Sequence, residues 1–176
     1  MAVDNFLVAA QLLYACLCEQ VNLLPEPDRP TRCCLIAASE FEMGVATLED
    51  MCACGTAYVR IDSFTPSSTF PVQQELATMC GPEQWALTLE LGIMRCPPIG
   101  TAEVLPTCDE YAAYTAKVMA DAQAMRNAVI CCFGPARPNR LLLLGGWQAV
   151  GPEGACGGGK MTVQVQILRC DECPAA

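Results

Sequence analysis

Residues 85–96 carry the clearest alternation in the chain, with Trp85, Leu87, Leu89, Leu91 and Ile93 set against Thr88, Glu90 and Gly92. A strand turns successive side chains to opposite faces, so this spacing predicts a strand with one buried face, ended by Pro97-Pro98. A second alternation at 160–169 sets Met161, Val163, Val165 and Ile167 against Thr162, Gln164 and Gln166 and predicts another. Further strands are expected at 32–39, 56–64 and 140–150. The glycine-rich stretch 151–159 reads as the flexible tip of a hairpin. It lacks the Gly-Lys-Ser/Thr ending of a phosphate loop and joins two strands instead of opening a helix.

Helical spacing appears twice. Residues 4–20 place Asp4 as N-cap and apolar side chains at 6, 10, 13 and 17. The segment is apolar around most of its circumference, which predicts deep burial or a position between subunits. Three prolines then make 24–30 a stiff, non-helical linker. After Pro106, Thr107-Cys108-Asp109-Glu110 forms a capping box and opens a helix to about residue 131. Tyr111, Tyr114, Val118, Ala122, Met125 and Val129 draw one apolar stripe along it. Such a helix spans roughly 36 Å and is expected across a sheet face, with Gly134-Pro135 ending it. Residues 40–55 read as an irregular connection and 65–71 as a loop; Phe64 and Phe70 are expected to pack back on their own domain, the alternative being a place in an interface. The element order predicts an α+β fold: a mixed or antiparallel sheet with an N-terminal helix and one long helix packed across it. No repeat or boundary divides the chain, so residues 1–176 are expected to form one domain.

Composition narrows the function. Apolar residues make up 53% of the chain and charged residues 16%. That balance predicts apolar surface covered by a partner. The net charge is −9, and the ten basic residues are scattered singly. This excludes sequence-specific nucleic-acid binding, although an acidic surface can let nucleic acid pass without holding it. The apolar stretch 6–18 has Asp4 where a secretory leader would be basic, and it is too short to cross a bilayer. No membrane association is expected. Synthesis is placed in a cytoplasm, where stable disulfides are not the default.

Fourteen cysteines and no histidine bound the chemistry further. Without histidine there is no Ser-His-Asp triad, no Cys-His pair and no His-bearing zinc site. Cys108, at the start of the long helix, is the cysteine best placed for an activated thiolate, but no C-x-x-C partner accompanies it. The carboxylates Glu40, Glu42, Glu49, Asp50, Asp109, Glu110 and Asp121 show no convergent spacing and read as a solvated acidic surface. Accordingly no catalytic, cofactor-binding or metal-binding residue is assigned, and the chain is expected not to be an enzyme.

Cysteine spacing leaves two routes. Cys52-x-Cys54 with Cys170-x-x-Cys173 can build a four-thiolate zinc site, which would make the chain a soluble binding module or zinc-stabilised adaptor. The other route, the one expected here, is a mixture of buried thiols and disulfides without metal. Neighbours in a strand face opposite sides, so Cys33 and Cys34 need separate partners. Cys16 and Cys18, roughly 200° apart on a helix, separate in the same way.

Several segments in order carry a resemblance. They are Arg32-Cys33-Cys34, Cys52-x-Cys54-Gly55, Phe70-Pro71 and Trp85 leading to Arg95-Cys96-x-Pro98. After them come the long helix ending in Cys131-Cys132, and Gly146-Trp147-x-x-Val150-Gly151-Pro152-x-Gly154 with Cys156, Gly157 and Gly158. Together they cover most of the chain, which resembles small cysteine-rich neck proteins of long-tailed actinobacterial phages, with a layout similar to tail terminators. The resemblance implies a tail-terminator-like fold and a virion protein assembled in the host cytoplasm. It also implies a ring, usually of six copies, at the head-proximal end of the tail tube. Its partners would be the tail tube protein and the head-tail connector or stopper, with genome DNA passing through unbound.

Overall fold

In the computed structural model, the described residues are 6–26, 28–37, 55–73, 84–98, 100, 105–134, 141–153 and 156–168. Among them the chain runs α1 (Phe6–Asn22), β1 (Arg32–Ile36), β2 (Thr56–Pro66), β3 (Gln84–Arg95), α2 (Cys108–Phe133), β4 (Leu142–Glu153) and β5 (Cys156–Leu168). The five strands form one sheet in the order β1-β2-β3-β5-β4. β1 runs parallel to β2, and the other neighbours are antiparallel. The α+β architecture read from the element order is therefore present, with both helices on one face of a mixed sheet. Asp4, residues 40–54 and the cysteines at 52, 54, 170 and 173 lie outside the described residues.

The core follows from the alternation. Leu87, Leu89, Leu91 and Ile93 of β3 and Val163, Val165 and Ile167 of β5 point to the helices. There they meet Ala9, Ala10, Leu13, Leu17 and Val21 of α1 and Met125, Ala128 and Val129 of α2. Each large aliphatic side chain buried here contributes about 1.5–3 kcal/mol of transfer free energy.

One expectation for 85–96 is corrected. β3 is buried on both faces, because it is the middle strand and a second, smaller cluster covers its far side. Tyr58, Met94 and Cys156 form that cluster, with Cys34, Ile36 and Val150 against it. A Cβ at Gly92 would overlap the Tyr58 ring, so glycine is what lets the ring lie flat on the sheet.

The glycine-rich segment does join two antiparallel strands in a hairpin, but the extent of its tip is corrected. Gly151 already belongs to β4, and 156–159 to β5, leaving only 154–155 between the strands. Gly158 and Gly159 are there for close approach, whereas Gly151 meets nothing within 4 Å. Gly158 has φ +153°, and a Cβ there would run into the Ile93 carbonyl of the neighbouring strand; Gly159 lies beneath the Trp147 indole. Gly158→Ala combines an unfavourable backbone conformation with a backbone clash. It is expected to lower the unfolding free energy by roughly 2–3 kcal/mol, read by urea denaturation. An unchanged midpoint would show that the strand relaxes around the methyl group.

In α2 the capping box is complete. The Glu110 N–H donates to Thr107 Oγ1 at 3.2 Å, and the Thr107 N–H donates to Glu110 Oε2 at 2.7 Å. The Thr107 N–H, joined by the Thr107 hydroxyl at 3.0 Å, stabilises the ionised carboxylate and holds Glu110 below its ordinary value. Of the expected stripe, Val118, Met125 and Val129 are buried, whereas Tyr111 is exposed and Tyr114 half-buried. The first buried residue is Val118, because the initial turns of the helix precede its contact with the core.

Candidate assembly surface

The charged side chains inside the fold are satisfied by one another. At one end of the sheet, Arg95 grips Asp121 with two nitrogens, Nε on Oδ2 and Nη2 on Oδ1, the latter at 2.6 Å. Its Nη2 also donates to the Asp28 carbonyl at 2.6 Å, and Lys117 Nζ lies 2.8 Å from Asp28 Oδ1. This network joins β3, α2 and the linker after α1. Asp121 is thus no solvated surface carboxylate, as the spacing reading had it; only 2% of its side chain is exposed. Burial pushes its carboxyl up from 3.8, with Arg95 pulling it back. The signal was present in the sequence, since Asp121 falls between Val118 and Met125 on the apolar stripe. A charge there requires a buried counter-ion.

A second network lies on the sheet face away from the helices. Glu90 accepts from the Tyr58 hydroxyl at 3.1 Å and pairs with Arg60 at 3.1 Å and Lys160 at 3.2 Å. Arg60 also meets Asp62 at 3.3 Å, so two cations face two carboxylates and the cluster is neutral. Burial, reinforced by the Glu90 carboxylate, raises Tyr58 far above its ordinary value. Arg60 and Arg95, two of the singly scattered cations, are thus committed inside the fold. Asp109 and Glu110 stand exposed at the start of α2, and Arg32 is exposed on β1.

Cysteines fasten α1 on two sides. Cys16 is bonded to Cys132 of α2 and Cys18 to Cys33 of β1, with Cα separations of 6.2 and 5.8 Å. The separation of Cys16 from Cys18, and of Cys33 from Cys34, follows the helix and strand geometry. Cys156 is disulfide-bonded as well. Cys34, Cys108 and Cys131 carry free thiols, those of Cys108 and Cys131 on the surface. Among the described residues no group of three or more His, Cys, Asp or Glu side chains is arranged to hold a metal ion.

Exposed apolar surface remains. β4 pairs only with β5 among the described residues and forms an edge of the sheet. Leu141, Leu143 and Leu144 at its start are 56%, 48% and 38% exposed. The register places Thr65, Ala86 and Gln166 in one row, and the Gln166 N–H donates to the Leu141 carbonyl at 3.0 Å. Phe64 and Trp85 therefore share this end of the sheet. Phe64 stacks on Phe6, centroids 4.6 Å apart, yet remains 52% exposed. The expectation that Phe64 packs back on its own domain holds for one face of the ring only. Leu7 and Val8 extend the patch on α1, while Tyr111, Met119 and Ile130 are exposed on α2. No described helix is long and apolar enough to cross a membrane.

Fold and surface together define a cysteine-rich α+β protein with internally neutralised charges and uncovered apolar side chains at one sheet edge and one sheet end. No protein-family model and no curated protein matches the chain.

Proposed function

We propose that the chain is a structural virion protein. It forms a ring at the head-proximal end of a phage tail tube, terminates the tail and joins it to the head connector. The observation that carries the reading is the apolar surface left open at Phe64, Leu141, Leu143 and Leu144. Leu141, Leu143 and Leu144 adjoin at the rim and Phe64 stands at the same end of the sheet on β2; side chains of this size left uncovered favour permanent contact with a neighbour. Six copies in a closed ring with heterologous contacts are expected from the sequence resemblance.

The charge distribution supports passage of DNA through the lumen. A net charge of −9 per chain repels phosphate, and Arg60 and Arg95, held by carboxylates, are not offered to it. Partners on this reading are further copies of the chain, the tail tube protein and the connector or stopper protein.

Localisation within particles tests the proposal. Antibody labelling or reconstruction of the neck is expected to find the chain confined to the junction of tube and head. Copies distributed along the tube, or absent from mature particles, would reject it.

A further inference from the structure

We infer that β4 is a self-association edge, along which residues 141–144 pair main chain to main chain with a second copy of the protein. Open strand edges are normally protected by charge, proline or brevity. β4 is 12 residues long, and its one proline and one charge, Pro152 and Glu153, stand at its far end, leaving 142–151 without either. Its irregularities lie between Leu144 and Trp147 and between Val150 and Glu153. The leucine run ahead of them pairs regularly with β5, Leu142 opposite Val165 and Leu144 opposite Val163. Leu142 turns into the core. Leu143 and Leu144 remain exposed.

The occupant follows from charge and from the kind of contact. Two copies carrying −9 each repel one another wherever acidic side chains face solvent, and the uncharged edge is where they approach at least electrostatic cost. Edge pairing also requires that the partner present a strand edge of its own. A second copy meets both demands, since among the described residues its sheet ends in β4 on one side and β1 on the other. Apolar leucines then cover leucines, or lie against β1, whose one charge, Arg32, stands exposed at its end.

This deepens the ring reading by naming one side of the subunit contact, and the test separates the two. Sedimentation velocity of the full-length oxidised protein is expected to show concentration-dependent association. Leu143→Lys should weaken it by roughly tenfold or more, while Met119→Lys, on the exposed side of α2, should leave it unchanged. Hydrogen exchange on the wild type checks the same point without mutation, because the amides of 141–144 should slow as concentration rises. A wild type monomeric at every concentration would overturn the inference. So would association equally sensitive to both variants, or exchange at 141–144 that ignores concentration. A β4-dependent dimer that never grows would sustain the edge and count against the ring; growth that ignores β4 would do the reverse.

Discussion

Replacing Cys16 and Cys132 together by alanine is expected to lower the unfolding free energy by about 5 kcal/mol. That figure is the chain-entropy value for a cross-link spanning 116 residues. The 15-residue separation of Cys18 and Cys33 gives about 3 kcal/mol in the same treatment. A domain of this kind has roughly 5–15 kcal/mol in total, so the fully reduced protein should be marginal. Guanidinium denaturation of the single-bridge variants, with and without reductant, reads both effects. Should reductant leave the wild-type midpoint unchanged, α1 owes its position to packing alone. The ordering matters as much as the size. Loss of the 16–132 bridge must hurt more than loss of 18–33, because it frees more of the unfolded chain.

Asp121→Ala is expected to cost about 3–5 kcal/mol, since it leaves the Arg95 guanidinium buried without its carboxylate. Arg95 is only 11% exposed and retains the Asp28 carbonyl as acceptor, but a carbonyl does not neutralise a charge. Arg95→Met combined with Asp121→Leu should recover most of the loss, because an apolar pair of similar volume needs no desolvation of ions. Comparable destabilisation in the single and double variants would mean that Asp121 acts through shape. The pH dependence carries a definite sign. With the folded value raised above 3.8, the folded protein holds the Asp121 proton more tightly than the unfolded chain. Stability from this group therefore falls as pH rises from 3.8 through the raised value. The pair is a poor source of net stability and a severe loss when halved.

The architecture was legible because period-two patterns at 85–96 and 160–169 and a capping box at 107–110 are local signals that the tertiary structure had no reason to override. What escaped was set by neighbours in space. Nothing around Glu90 in sequence announces Arg60, Lys160 and Tyr58, which reach it across strand register. The segment 151–159 looked flexible because glycine is ambiguous from sequence. It marks freedom in a loop and tight contact in a sheet, and only the Ile93 carbonyl and the Trp147 ring decide between them. Cysteine geometry predicted that neighbours would part company. It could not predict that Cys16 meets Cys132, because helix packing determines that pairing. The apolar edge was hidden for a related reason, since a leucine run at 141–144 reads as core until the sheet order puts it at the rim.

The position of β5 has a consequence for how the protein is made. It comes last among the described elements, yet it lies inside the sheet, between β3 and β4. While the ribosome is still short of residue 156, β3 and β4 have no strand to join them. Residues of α1 such as Leu13 and Leu17 then wait for a core that is still incomplete. Long-range pairing of this kind slows folding and prolongs exposure of apolar strands to other chains. Nascent chains halted before β5 should stay protease-sensitive and chaperone-bound, and the native sheet should appear only when synthesis has passed residue 168.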